Sequence, residues 1–127
     1  MKEELISLET AKLAKEKGYD VPDLFNYDLK GKLCSTSESI QSYYRDEFYL
    51  PLKRKARGLG YLAPTQSLLQ KWLREEHNIH IAIVVNNIDT KTYEYDIATY
   101  GVEKVKGGFT SYEIALEKGL QKALTLI

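Results

Sequence analysis

The chain has 127 residues, 43% of them hydrophobic and 28% charged, with 18 basic and 18 acidic side chains and no formal net charge. That length suits one domain, 1–127, with a single two-layer core, and the neutral balance argues against a dedicated nucleic-acid binder, whose affinity leans on a basic field over phosphates. One cysteine, Cys34, excludes an intramolecular disulfide framework, and no apolar stretch approaches membrane-spanning length.

The first segment, MKEELISLETAKLAKEKG, is helical in pattern and lacks the apolar middle of a signal peptide, so a cytoplasmic location is expected. Ser7 is placed to cap its free N–H groups, Glu9 falls in the positive first turn, Lys15 and Lys17 in the last, and Gly18 stops it. The apolar stripe is narrow: Leu5, Leu8, Ala11 and Ala14. Next, LFNYDLKGKLC predicts a short hairpin, with residues 24–28 and 32–34 flanking a turn at Lys30-Gly31. STSES then reads as a polar loop, and Pro51 breaks any regular element in YYRDEFYLPL. The tract from 20 to 60 is expected to hold a long excursion, the kind of segment that often carries function.

Further on, Pro64 and Thr65 open a second helix in which Leu68, Leu69, Trp72 and Leu73 share one face. Asn78 ends it. The period then changes to two, and Ile79, Ile81, Ile83 and Val85 fall on one face of a strand. Its reverse face carries Ala82 and Val84 beside His80 and Asn86. Apolar residues on both faces imply a strand covered twice or half of an oligomer interface. Asn86, Asn87 and Asp89 supply a turn, and KTYEYDIATY returns with Tyr93, Tyr95 and Ile97 inward and Glu94 and Asp96 outward. In the last helix Thr110 with Glu113 has the form of a capping box, and Phe109 with Ile114 that of a hydrophobic staple. Tyr112, Ala115, Leu116, Leu120, Ala123, Leu124 and Ile127 form its stripe, and Gly119 within it predicts a close approach.

The fold class that follows is α+β, a small antiparallel sheet packed by three helices: helix, hairpin, helix, strand, strand, helix. The expected core sets Trp72 under the sheet with Leu69, Leu73, Ile81, Ile83, Leu116, Leu120 and Leu124. The helix–strand–strand–helix order resembles double-stranded-RNA-binding domains. Those carry a third strand and a basic start to the last helix, whereas this helix opens Thr110-Ser111-Tyr112-Glu113 and no third strand is read.

Catalytic signals are weak. Glu75, Glu76, His77 and His80 have the right chemistry for zinc, but the histidines straddle a helix–strand boundary that fixes no common face. Cys34 and the STSES serines lack a neighbouring base or a nucleophile elbow. The Gly-x-Gly of RGLGY is followed by no phosphate-binding pattern. No catalytic residue, metal or cofactor is assigned. The candidate nucleic-acid contact is Lys53, Arg54, Lys55 and Arg57, interleaved with Tyr44, Phe48, Tyr49 and Tyr61. The candidate interface is Ala82, Val84 and Tyr100, in a chain unusually rich in tyrosine, with ten copies against three Phe.

Three blocks, ISLETAKLAKEKGYD, APTQSLLQKWLREEHNIHI and SYEIALEKGLQKALTLI, cover a little under half the chain. In order and spacing they resemble a family of small uncharacterised proteins common in phages and mobile elements of gut Bacteroidetes-type bacteria. The resemblance implies an accessory protein in the host cytoplasm that binds a host or phage protein, and it transfers no catalytic residue. The expected function is therefore protein contact, with self-association as a homo-oligomer, and the alternative is nucleic-acid contact through the basic cluster.

Overall fold

The computed structural model describes residues 3–21, 25–35 and 60–127. They form two compact units, Leu5–Pro64 and Met1–Glu4 with Thr65–Ile127. Each combines helix with a three-stranded antiparallel sheet. The α+β class holds, and the expected hairpin has grown into a small sheet of its own.

In the first unit, α1 (Leu8–Glu16) begins where Ser7 Oγ accepts from the Thr10 N–H at 3.2 Å. It ends in a Schellman motif: Tyr19 N–H reaches the Ala14 carbonyl at 2.9 Å and Gly18 N–H the Lys15 carbonyl at 3.1 Å, with Gly18 at φ +90°. A hydrogen-bonded, left-handed stop of that kind is why the helix does not run on. Ala11 and Ala14 are buried beside Ile6, Tyr19 and Leu62. β1 (Phe25–Tyr27) and β2 (Leu33–Ser35) form the hairpin, and β3 (Tyr61–Leu62) pairs with the other side of β1. Asp28 sets the turn, since its Oδ1 accepts from the Lys30 and Lys32 N–H groups at 2.9 and 2.8 Å. Those bonds, Lys32 foremost, hold its carboxyl below the usual range.

In the second unit the order is α2 (Gln66–His77), β4 (His80–Asn87), β5 (Thr92–Thr99), β6 (Val102–Phe109) and α3 (Tyr112–Leu124). Thr65 caps α2 by accepting from Leu68 N–H at 3.2 Å. Asn78, left-handed at φ 53°, ends it, and Ile79 N–H returns to the Leu73 carbonyl at 3.0 Å. β6 is a strand that the apolar pattern does not announce. All of its residues but Phe109 are exposed, so backbone pairing with β5 makes it, not buried side chains.

The inner face of the sheet carries Ile81, Tyr95 and Ile97, which α3 covers with Ala115, Leu116, Leu120, Ala123 and Leu124. α2 adds Leu69 and Leu73. Each leucine or isoleucine among them taken out of water is worth about 1.5–3 kcal/mol. Gly119 lies against the sheet, where an added Cβ would stand 3.1 Å from Tyr95 Cβ and 3.3 Å from Ile81 Cγ2. The close approach is there, and it is made by side chains of the sheet. Buried Gln66 joins the helices by donating from Nε2 to the Glu113 carbonyl and to Glu117 Oε1, both at 2.9 Å.

Several expectations are corrected. Trp72 is only half-buried, with its ring edge-on to His77 at 4.7 Å, because Leu69 and Leu73 take the inward positions. Ile83 is half-buried too. Ser111, not Thr110, caps α3: its Oγ accepts from Ile114 N–H at 3.0 Å, which leaves Ile114 45% exposed and unable to staple inward. Tyr112 and Ile127 are likewise exposed at the ends of the stripe.

Candidate interaction surface

Side chains alternate along a strand, so β4 turns Ile81, Ile83 and Val85 toward the helices and His80, Ala82, Val84 and Asn86 to the opposite face. The register sets His80 opposite Ala98, Ala82 opposite Asp96, and Val84 opposite Glu94. Across β5, Asp96 faces Val105 and Ala98 faces Glu103. Ala82, Val84, Ala98, Glu103 and Val105 are all exposed. The reverse face of β4 thus belongs to an exposed sheet surface, and no element of the described residues gives it a second cover.

Two carboxylates occupy the middle of that surface. Glu94 shares a hydrogen bond with Asp96, and with desolvation and the Asp96 charge this holds the Glu94 carboxyl above its usual value. Asn86 Nδ2 donates to Glu94 Oε1 at 3.4 Å and opposes the effect. Asp96 Oδ1 is buried with no hydrogen-bond partner among the described residues. Gly107 fits here for want of a side chain, since an added Cβ would lie 2.9 Å from Asn86 Oδ1. The face is therefore apolar at its β4 margin and acidic along its centre.

The edge of the sheet can be read from its turn. Tyr100 (φ 35°) and Gly101 (φ 79°) form a two-residue hairpin turn with both central residues left-handed. Such a turn closes on a hydrogen-bonded pair, here Thr99 with Val102. Backbone groups alternate in direction, so Thr99, Ile97 and Tyr95 point to β6, while Ala98, Asp96 and Glu94 point to β4. Their partners His80, Ala82 and Val84 point back at β5. Ile81, Ile83 and Val85 consequently turn their N–H and C=O groups outward, where no strand of the described residues meets them. A side-chain bond agrees with this: Gln70 Nε2 donates to the Ile81 carbonyl at 2.8 Å. Beyond Ile81, the outward groups of Ile83 and Val85 form an edge that no strand of the described residues pairs.

Of the expected interface residues, Ala82 and Val84 lie together on this surface. Tyr100 stands apart at the hairpin tip, 83% exposed beside a shallow hollow lined by Asn78, His80 and Glu103. Val85, assigned by its period to the covered side, is 52% exposed. His80 hydrogen-bonds Asn78 Oδ1 at 2.9 Å, and among the described residues no group of three His, Cys, Asp or Glu could hold a metal ion. Cys34 is half-buried on β2 with Sγ 3.8 Å from Asp28 Oδ2. In the first unit, Lys12 and Lys15 lie 5.8 and 5.0 Å from the centre of the Tyr61 ring, and Lys15 Nζ donates to the Gly60 carbonyl at 2.9 Å. The basic cluster Lys53, Arg54, Lys55 and Arg57 lies outside the described residues, as do Tyr44, Phe48, Tyr49 and most of STSES.

No protein-family model, curated protein or solved structure matches the chain. The third strand supplies what the likeness to double-stranded-RNA-binding domains lacked in sequence. The last helix still opens with Tyr112 and Glu113 and not with lysines, so the likeness reaches element order alone. No helix among the described residues is long and apolar enough to cross a membrane.

Proposed function

We propose that this chain is a protein-binding module that acts by self-association and by contact with a host or phage protein. The observation that carries the reading is the β4 edge, unpaired among the described residues, with Val84 39% and Val85 52% exposed, one on each face of the sheet. An unpaired edge lined by apolar residues is a template for another chain, and folded proteins commonly cover or charge such edges. The family resemblance sets the reading in a phage-associated accessory protein of the host cytoplasm, where contact with a partner protein needs neither cofactor nor catalytic group. Light scattering on the full chain tests it: a mass above 14.6 kDa that grows with concentration is expected, and a strict monomer at high concentration would overturn self-association.

A further inference from the structure

Resting on that reading, we infer that two copies of this chain pair through the free edge of β4, antiparallel about a two-fold axis at Val84. Backbone direction and side-chain chemistry converge on this arrangement. The outward backbone groups belong to Ile83 and Val85, while Gln70 occupies the Ile81 carbonyl. A two-fold axis at Val84 sets Ile83 opposite Val85 of the second copy, and the reverse. The two pairs exchange four N–H···O=C bonds and leave Gln70 undisturbed.

Side-chain chemistry selects the same register. On the open face Val84 meets its own copy and Ala82 meets Asn86; on the helix side Ile83 meets Val85 twice. The valines and isoleucines meet one another, Ala82 meets the uncharged Asn86, and no charge meets a like charge, which suits a self-complementary two-fold contact. Val84 and Val85, the exposed large apolar residues of β4, are both covered by it. The register shift between Val85 and Asn87 ends the pairing on one side. Stacking the open faces instead would set Glu94 and Asp96 of one copy against those of the other, which their charge opposes. Edge pairing joins the sheets into one of six strands, β6-β5-β4-β4-β5-β6, and leaves both acidic centres open on the same side.

The test uses the full chain with Cys34→Ser, so that introduced thiols are the only ones. In the inferred pairing, Val84 and its copy form a non-hydrogen-bonded pair with Cα atoms about 4.5 Å apart, within disulfide reach. Val84→Cys should cross-link to a dimer with oxidised glutathione. Ala82→Cys and Asn86→Cys should each stay single, their copies lying roughly 14 Å apart at about 3.4 Å per residue, yet cross-link when mixed. Val85→Pro removes an outward N–H that no bond within the sheet uses, and it should turn the dimer into a monomer by light scattering. If that variant loses its circular-dichroism signal, the thiol pattern decides. A dimer that keeps its mass in Val85→Pro and forms no bond at position 84 would overturn edge pairing while leaving self-association intact. A monomer in the parent chain would overturn both.

Discussion

The two edges of the second unit's sheet are opposites. β6 is studded with Glu103, Lys104 and Lys106, and it is broken near its end by Gly108 at φ 87° beside a register shift. Charges and bulges are how folded proteins keep an edge from pairing with another chain. β4 has neither over Ile81, Ala82, Ile83, Val84 and Val85, and its single irregularity comes at the far end. Both strands bond to β5, so position in the sheet does not explain the contrast. It lies in side-chain chemistry, charged and irregular along β6, apolar and regular along β4.

The largest expected effect tests the common base of both edges. Ile97 is fully buried on the central strand, and Ile97→Ala should cost about 2–5 kcal/mol in urea unfolding. Gly119→Ala comes next. A helix gains about 1 kcal/mol from that change, but Tyr95 Cβ is fixed to the strand and cannot swing aside, so overpacking of about 1–3 kcal/mol should leave a net loss. Trp72→Ala should cost less than the ~3 kcal/mol lower bound for a core aromatic, because the ring is half outside. A loss of that full size would return Trp72 to the core.

The edge contrast itself is sharpened by one residue type placed twice. Val84→Lys and Val105→Lys both add a charge to the open face, and each should leave the unfolding free energy of the isolated chain within about 0.5 kcal/mol. The first should abolish self-association and the second should leave it unchanged, by sedimentation velocity. Equal effects would erase the distinction between the edges.

Much of this unit was legible because its information is apolar and periodic. Leu69, Leu73, Leu116, Leu120 and Leu124 recur at helical spacing and Tyr95 and Ile97 at strand spacing, and all are buried. β6 was not, because a strand held by backbone pairing needs no apolar period and VEKVKGGF has none. Ser111 and Thr110 are chemically equivalent caps, and only the chain direction entering α3 selects the former. Ala82, Val84 and Tyr100 could be picked out as surface candidates. That β4 stands at an edge could not, since strand order is a property of the fold, and with it went the significance of Val85.

The smallest effect concerns the open face. Asp96 raises the Glu94 carboxyl above its unfolded value, so the folded chain binds that proton more tightly than the unfolded one. The stability this proton contributes is fully present below the unfolded glutamate value and is lost as pH rises through the folded one. Asp28 runs the other way: its lowered carboxyl contributes stability above the unfolded aspartate value that is lost as pH falls through the folded one. Glu94→Gln removes the like charge and offers an N–H to a neighbour whose Oδ1 has no partner. The variant should therefore melt slightly higher than the parent at neutral pH, and the gap should close as acid protonates Glu94 in the parent. Asp28→Asn should show the reverse, melting lower at neutral pH and converging in acid. Because Glu94 lies on the face and not at the edge, its substitution should leave the mass read by light scattering unchanged.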